Sequence, residues 1–204
     1  MKRILISLCV LLSFAGCKEN EKDGHSFILE HYIGVYIVPD EIHVSESSAY
    51  FMVSLTGETI ADGKAGQDDK HELYAQRYGD TDYNRYYGAG PYAAAALAEP
   101  LSLLEVVVLN DYDIKHLAGD NICDIIRAEC VTYYDYVSNQ YKGDEERTII
   151  AQYGSESTQN ILLAKNCFLC TFISPPDISG EYDFEIKVKV GEKVLSTIAT
   201  ITWD

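Results

Sequence analysis

Basic side chains are scarce. Sixteen Lys and Arg stand against 32 Asp and Glu, a net charge of −16 over 204 residues. A polyanion is repelled at long range by such a chain, and no cluster of Lys and Arg offers a local strip for it, so nucleic acid is set aside as a partner. The same repulsion opposes direct adhesion to anionic lipid headgroups. No apolar run reaches the roughly 20 residues that a membrane-crossing helix needs. Gly-x-Ser-x-Gly, phosphate-loop, His-Glu-x-x-His and dinucleotide fingerprints are all missing, which leaves the common hydrolase, nucleotide and zinc-protease chemistries without a motif. Repeats, low-complexity blocks and proline-rich linkers are absent as well, and nothing argues for dividing the chain.

The amino terminus is informative. Lys2 and Arg3 precede an apolar run over 4–14, and the small pair Ala15-Gly16 stands directly before Cys17. This is the layout of a secretory signal that is cleaved rather than retained. Phe14-Ala15-Gly16-Cys17 resembles the lipobox of bacterial lipoproteins, with Phe14 in place of the usual aliphatic residue. The resemblance implies a diacylglycerol-modified Cys17 and, since the mature cysteine carries more than one acyl chain, stable attachment to a membrane.

The polar stretch Lys18-Glu19-Asn20-Glu21-Lys22-Asp23 resembles the acidic export signal of Bacteroidetes lipoproteins. That similarity implies an outer-membrane protein exposed at the cell surface. A solvated spacer on a periplasmic protein is the alternative. The expected organisation is a signal peptide over 1–16, a lipidated cysteine and acidic tether over 17–26, and one domain over 27–204, a length suited to one sizeable core.

The clearest fold signal lies near the carboxyl end. Tyr182, Phe184, Ile186, Val188 and Val190 alternate with charged residues, Gly191-Glu192 supplies a two-residue turn, and a second β-rich run covers 194–203. The pair reads as a hairpin. Upstream, Pro175 and Pro176 lead into Ser-Gly-Glu-Tyr-Asp-Phe at 179–184, which resembles the tyrosine corner of immunoglobulin-like domains. Phe184 occupies the position of the inter-sheet cysteine, so that disulfide is not expected. Further strands are expected over 33–38, 49–55, 103–109, 131–137, 147–153 and 167–173. Asp120 or Asn121 can cap a short helix with Ile122, Ile126 and Cys130 along one side. The expected fold is mainly β: an immunoglobulin-like antiparallel β-sandwich with a short helix and a long Tyr-rich insertion. Lipobox, strand order, the Asp-rich stretch before Gly119 and the closing Gly-x-Tyr-x-Phe hairpin together resemble a family of small Bacteroidetes lipoproteins of unknown function, which implies location and fold but no activity.

Cys123, Cys130, Cys167 and Cys170 remain in the mature domain, and export permits disulfides. Cys167 and Cys170 have CxxC spacing, but strand-type flanks put them on opposite faces, wrong for a shared metal or a redox pair. Buried thiols and one cross-element disulfide both stay open.

Segment 57–90 is too long for a structureless connection inside a compact domain. Asp69 to Glu72 has capping-box spacing and predicts a helix through Tyr78, pairing Tyr74 with Tyr78. Asp80, Asp82 and Asn84 alternate as the opening of a calcium loop does, although Arg85 and Pro91 replace its glycine and glutamate. Tyr78, Tyr83, Tyr86, Tyr87 and Tyr92 sit among glycines, and as exposed rings they would bind a glycan or a protein. As buried rings they would pin the insertion to the sandwich. Asp111, Asp113 and His116 form a D-x-D-x-x-H group suited to metal or acid-base chemistry, or to a self-bonded turn. The functional expectation is a non-enzymatic envelope lipoprotein with no dedicated cofactor. It would be a surface binding or accessory protein, with a glycan-directed hydrolase using acidic residues near the insertion as the alternative.

Overall fold

The computed structural model describes residues 27–47, 49–87, 94–152 and 160–204. The expected signal and tether, with Cys17 and Tyr92, lie outside them.

Three strands form one sheet in the order β11-β10-β6: β6 (Leu101–Val108), β10 (Gly180–Val190) and β11 (Lys193–Trp203), all antiparallel. Six form the other in the order β5-β2-β3-β9-β7-β8: β2 (Ile33–Ser47), β3 (Tyr50–Ala61), β5 (Ala94–Leu97), β7 (Ile126–Thr132), β8 (Arg147–Gln152) and β9 (Ala164–Phe172). A two-stranded ribbon joins β1 (Phe27–Leu29) to β4 (Arg85–Tyr87). Two helices complete the described elements, α1 (Asp68–Tyr78) and α2 (Tyr134–Ser138).

The two larger sheets make a β-sandwich. Its core is built by alternation: Tyr182, Phe184, Ile186, Val188 and Val190 of β10 meet Phe51, Val53 and Leu55 of β3 and Phe168, Cys170 and Phe172 of β9 in one buried cluster. The expected hairpin is present in continuous register from Gly180↔Trp203 to Val190↔Lys193, and Gly191 takes the positive φ of 58° that the turn requires. The corner bond is present too, since the Tyr182 hydroxyl donates to the Ile178 carbonyl at 2.6 Å.

Sheet pairing lengthens β2 and β3 well past the expected runs. β2 continues through Pro39 because the ladder shifts register between Pro39 and Glu41, which absorbs the missing amide. Gly57 faces this bulge. A Cβ there would lie 2.2 Å from the Val38 carbonyl oxygen, a separation only glycine avoids.

Two expectations are corrected. The helix expected from Asp120 to Cys130 is a single 3-10 turn, Cys123–Ile125, followed by β7. Ile126, Ala128 and Cys130 point inward at period two, and pairing with β8 and β9 on both sides overrides the helical spacing. The strand expected over 131–137 stops at Thr132, whose hydroxyl accepts from the amide of Tyr134, the first residue of α2.

No helix among the described residues is long and apolar enough to cross a membrane. The four domain cysteines are free thiols, so the cross-element disulfide is not formed. Burial pushes the Cys130 thiol up to about 12 and Cys170 well above its ordinary value. Both shifts run opposite to what a reactive thiolate needs.

Candidate ligand-binding surfaces

The Tyr-rich insertion folds onto the outer face of the six-stranded sheet and makes a second core. Tyr32, Ile33, Tyr36, Tyr78, Tyr83, Tyr133, Tyr136, Tyr141 and Leu163 are buried together. α1 forms close to where capping and periodicity place it and ends at Gly79 in the left-handed conformation, φ 75°. Its N-cap is Gln67, which makes no side-chain cap bond. Tyr74 and Tyr78 do share a side, and the Tyr36 ring lies 5.2 and 6.3 Å from them. Ala94, Ala95 and Ala96, poor strand formers, pair with Leu97 in parallel with β2, and the four side chains divide between the two cores.

This arrangement corrects the exposed-ring reading for two of the tyrosines. Tyr78 is buried and its hydroxyl donates to the Ala98 carbonyl at 2.8 Å; burial raises its pKa to about 12, so the proton stays on. Tyr83 is buried edge-on against Tyr32 and Tyr141, at 5.3 and 5.0 Å. Both rings seat the insertion rather than face a ligand. Tyr86 and Tyr87 pair through their backbones with Ile28 and Phe27. Their side chains lie outside the described residues.

The calcium-loop candidates do not converge either. Asp80 is fully buried and points inward: one carboxylate oxygen accepts from the Tyr32 amide at 2.8 Å and the Tyr141 hydroxyl at 2.9 Å, the other from the Ile33 amide at 2.7 Å. Asp82 and Asn84 are exposed. Alternate oxygens in the sequence therefore face opposite environments, because Asp80 is recruited by backbone donors at the start of β2.

The D-x-D-x-x-H group closes on itself. Asp113 accepts from the Lys115 and His116 amides, and its carboxylate holds His116 Nδ1 at 2.8 Å, while Asp124 holds Nε2 at 3.1 Å. Asp111 accepts from the Ala118 amide. Burial alone would lower the His116 pKa, but the two carboxylates outweigh it and raise it above its ordinary 6.5. With a carboxylate at each ring nitrogen, His116 clamps two acids together. Its raised folded pKa gives stability that is fully present below the unfolded pKa, about 6.5, and is lost as pH rises through the folded value. NMR titration should show His116 holding its proton above the range of an exposed histidine, and His116→Gln should flatten the fall in Tm across that window.

The clamp shapes one end of the sandwich. Loop 109–121 and loop 173–179 are tied together by the Tyr112 hydroxyl donating to the Ser174 carbonyl and by the Asp177 carboxylate accepting from the Ile114 amide. Their exposed side chains mix charged residues such as Asp111, Lys115 and Asp177 with several apolar ones. Ile114 is 85% exposed and Ile178 74%, with Leu117 and Ile173 also exposed. Beside them opens a cleft of about 340 Å³ lined by Ala49, Phe172, Ile173, Pro175, Trp203 and Asp204. Sequence reasoning did not single out these isoleucines. The available signal was apolar residues placed inside turn-rich stretches, where a core role is hard to satisfy. Comparison with protein families, curated proteins and solved structures finds no match to this chain.

Proposed function

We propose that the protein is a lipid-anchored, non-enzymatic binding protein of the bacterial envelope, held by Cys17, and that it docks another protein through the loop end of its sandwich. The observation that carries the reading is the exposed isoleucine pair, Ile114 and Ile178, on two loops held together and bordered by a cleft of mixed polarity. Exposed apolar side chains on a prearranged surface suit a protein partner, because their burial is favourable and little ordering remains to be done. The retreat of Tyr78 and Tyr83 into a core removes part of the stacking platform that favoured a glycan. Anchoring and surface location rest on the resemblance of residues 14–17 and 18–23 to lipoprotein signals.

Two measurements test the reading. Cys17→Ser should abolish lipid labelling and release the folded domain from membranes; unchanged labelling would remove the anchor. Crosslinking on intact cells should capture a partner that Ile114→Asp combined with Ile178→Asp no longer captures. Exposed positions of this kind move stability by only about 0.5 kcal/mol, so an unchanged Tm must accompany the loss. Equal capture by the double variant would sink the docking surface.

A further inference from the structure

Three ligand-type side chains from separate segments meet at the base of α1. His31 lies between β1 and β2, Asp62 directly follows β3, and His71 sits in the first turn of α1; one ligand atom of each lies within 4.8 Å of the others. Both imidazoles are buried and Asp62 is exposed, so the cluster has an inner wall of nitrogen and an outer carboxylate. The Asp62 amide donates to the Gly34 carbonyl at 2.9 Å, which fixes that residue against the start of β2.

The hydrogen bonds settle which nitrogens are available. His31 Nδ1 lies 2.5 Å from the Asp80 carbonyl oxygen, and His71 Nε2 lies 2.9 Å from the Ile33 carbonyl oxygen. A carbonyl has no proton to give, so both of these nitrogens are N–H donors. The lone pairs then belong to His31 Nε2 and His71 Nδ1. Metal-bound imidazoles are held in this way, with the far N–H on a backbone carbonyl that fixes tautomer and ring orientation. Glu72 brings a further carboxylate, its Oε2 3.3 Å from His31 Nε2. With neutral His31, a lone pair would confront a carboxylate, and two acceptors at that distance call for a cation between them.

We propose that His31 Nε2, His71 Nδ1 and the Asp62 carboxylate, with Glu72 beside them, bind a zinc-class divalent cation. Two imidazoles with carboxylate oxygens are a donor set for Zn²⁺ and its first-row neighbours, whereas calcium takes oxygen ligands. Bound there, the ion ties the start of β2, the end of β3 and α1 together, and so clips the insertion to its sheet. The competing occupant of the same geometry is a proton on His31 that makes an ion pair with Glu72. The site is separate from the docking surface, and neither proposal depends on the other.

The test uses the full chain without a histidine tag, stripped with a chelator. One equivalent of zinc by calorimetry, a rise in Tm with zinc, and visible d–d bands on adding Co²⁺ are the expected results. Even outer partners of metal ligands are worth roughly 10- to 100-fold in affinity, so Asp62→Asn should weaken zinc binding by more than about tenfold. Asp62 is exposed, and this variant should fold whether or not His71→Gln does. Failure to take up zinc or cobalt at micromolar concentrations would leave the His31–Glu72 proton as the occupant and overturn the site. So would affinity unchanged in Asp62→Asn, or a thiolate-to-cobalt charge-transfer band, which would put the metal on cysteines.

Discussion

Replacing Asp80 with alanine is expected to lower stability by about 3–5 kcal/mol, read as a shift of the urea midpoint with little change in slope. The carboxylate is fully buried and accepts from three donors on two parts of the chain: the Tyr32 and Ile33 amides at the entry to β2, and the Tyr141 hydroxyl beyond α2. Deleting it strands all three in a closed interior, and each unsatisfied buried donor costs about 1–3 kcal/mol. Asp80→Asn keeps the shape but turns one acceptor into an NH₂ that confronts a donor, so it should fall between the two. Near-ultraviolet circular dichroism of the packed tyrosines should weaken in parallel. A loss below about 1 kcal/mol would mean that water replaces the carboxylate and that the insertion is held by its rings alone.

The same residue shows where sequence reasoning stops. Asp80, Asp82 and Asn84 alternate in the sequence, yet only Asp80 turns inward, because the open amides at the entry to β2 lie there. Tyrosine has a similar ambiguity. Its ring suits a core and its hydroxyl suits a surface, so a run of tyrosines among glycines reads equally well as a platform or as packing. Tyr78 resolves toward packing once the Ala98 carbonyl is present to receive its proton. His31 and His71 stand far apart in sequence with no motif spacing between them, and only the pairing of β2 with its neighbours and the docking of α1 brings their rings to 5.1 Å.

Strand legibility followed burial on one face. β10 alternates cleanly because its outer side is solvated, and its partner and turn could be read with it. β7 is ambiguous in sequence because Ile122, Ile126 and Cys130 fit a period of 3.6 while Ile126, Ala128 and Cys130 fit a period of two. Alanine is too small to weight the second pattern until β9 is seen beside it. The far half of β2 follows a proline that interrupts the pattern, and only Ile42 and Val44 alternate there with polar residues, partly buried against the core. Its existence depends on β3 and on the glycine that lets the bulge close.

Phe184→Ala is expected to cost about 3–5 kcal/mol, because the site cannot collapse around the missing ring. Phe184 has no exposed surface and pairs across the sheet with Ala199 on one side and Val108 on the other. Phe172, Trp203 and Tyr112 enclose it at ring distances of 5.5, 6.0 and 6.1 Å. These neighbours are themselves locked: Tyr112 by its bond to Ser174, and Trp203 by edge contacts with Phe172 and Tyr182 at 5.0 and 5.5 Å. A rigid aromatic wall leaves most of the deleted volume as cavity, and the lost ring pairs add about 0.5–1.5 kcal/mol each beyond area. Trp203 is the one tryptophan in the chain, so its emission should broaden and shift to the red as the cavity admits motion or water. Tyr182→Phe is the graded control: it removes only the corner hydrogen bond and should cost about 0.5–1.5 kcal/mol with the emission unchanged. Phe184→Leu, closer in volume, should be milder than the alanine variant. An alanine variant that loses under about 1.5 kcal/mol with an unaltered Trp203 spectrum would show that the aromatic wall relaxes, and would remove Phe184 as the centre of the sandwich core.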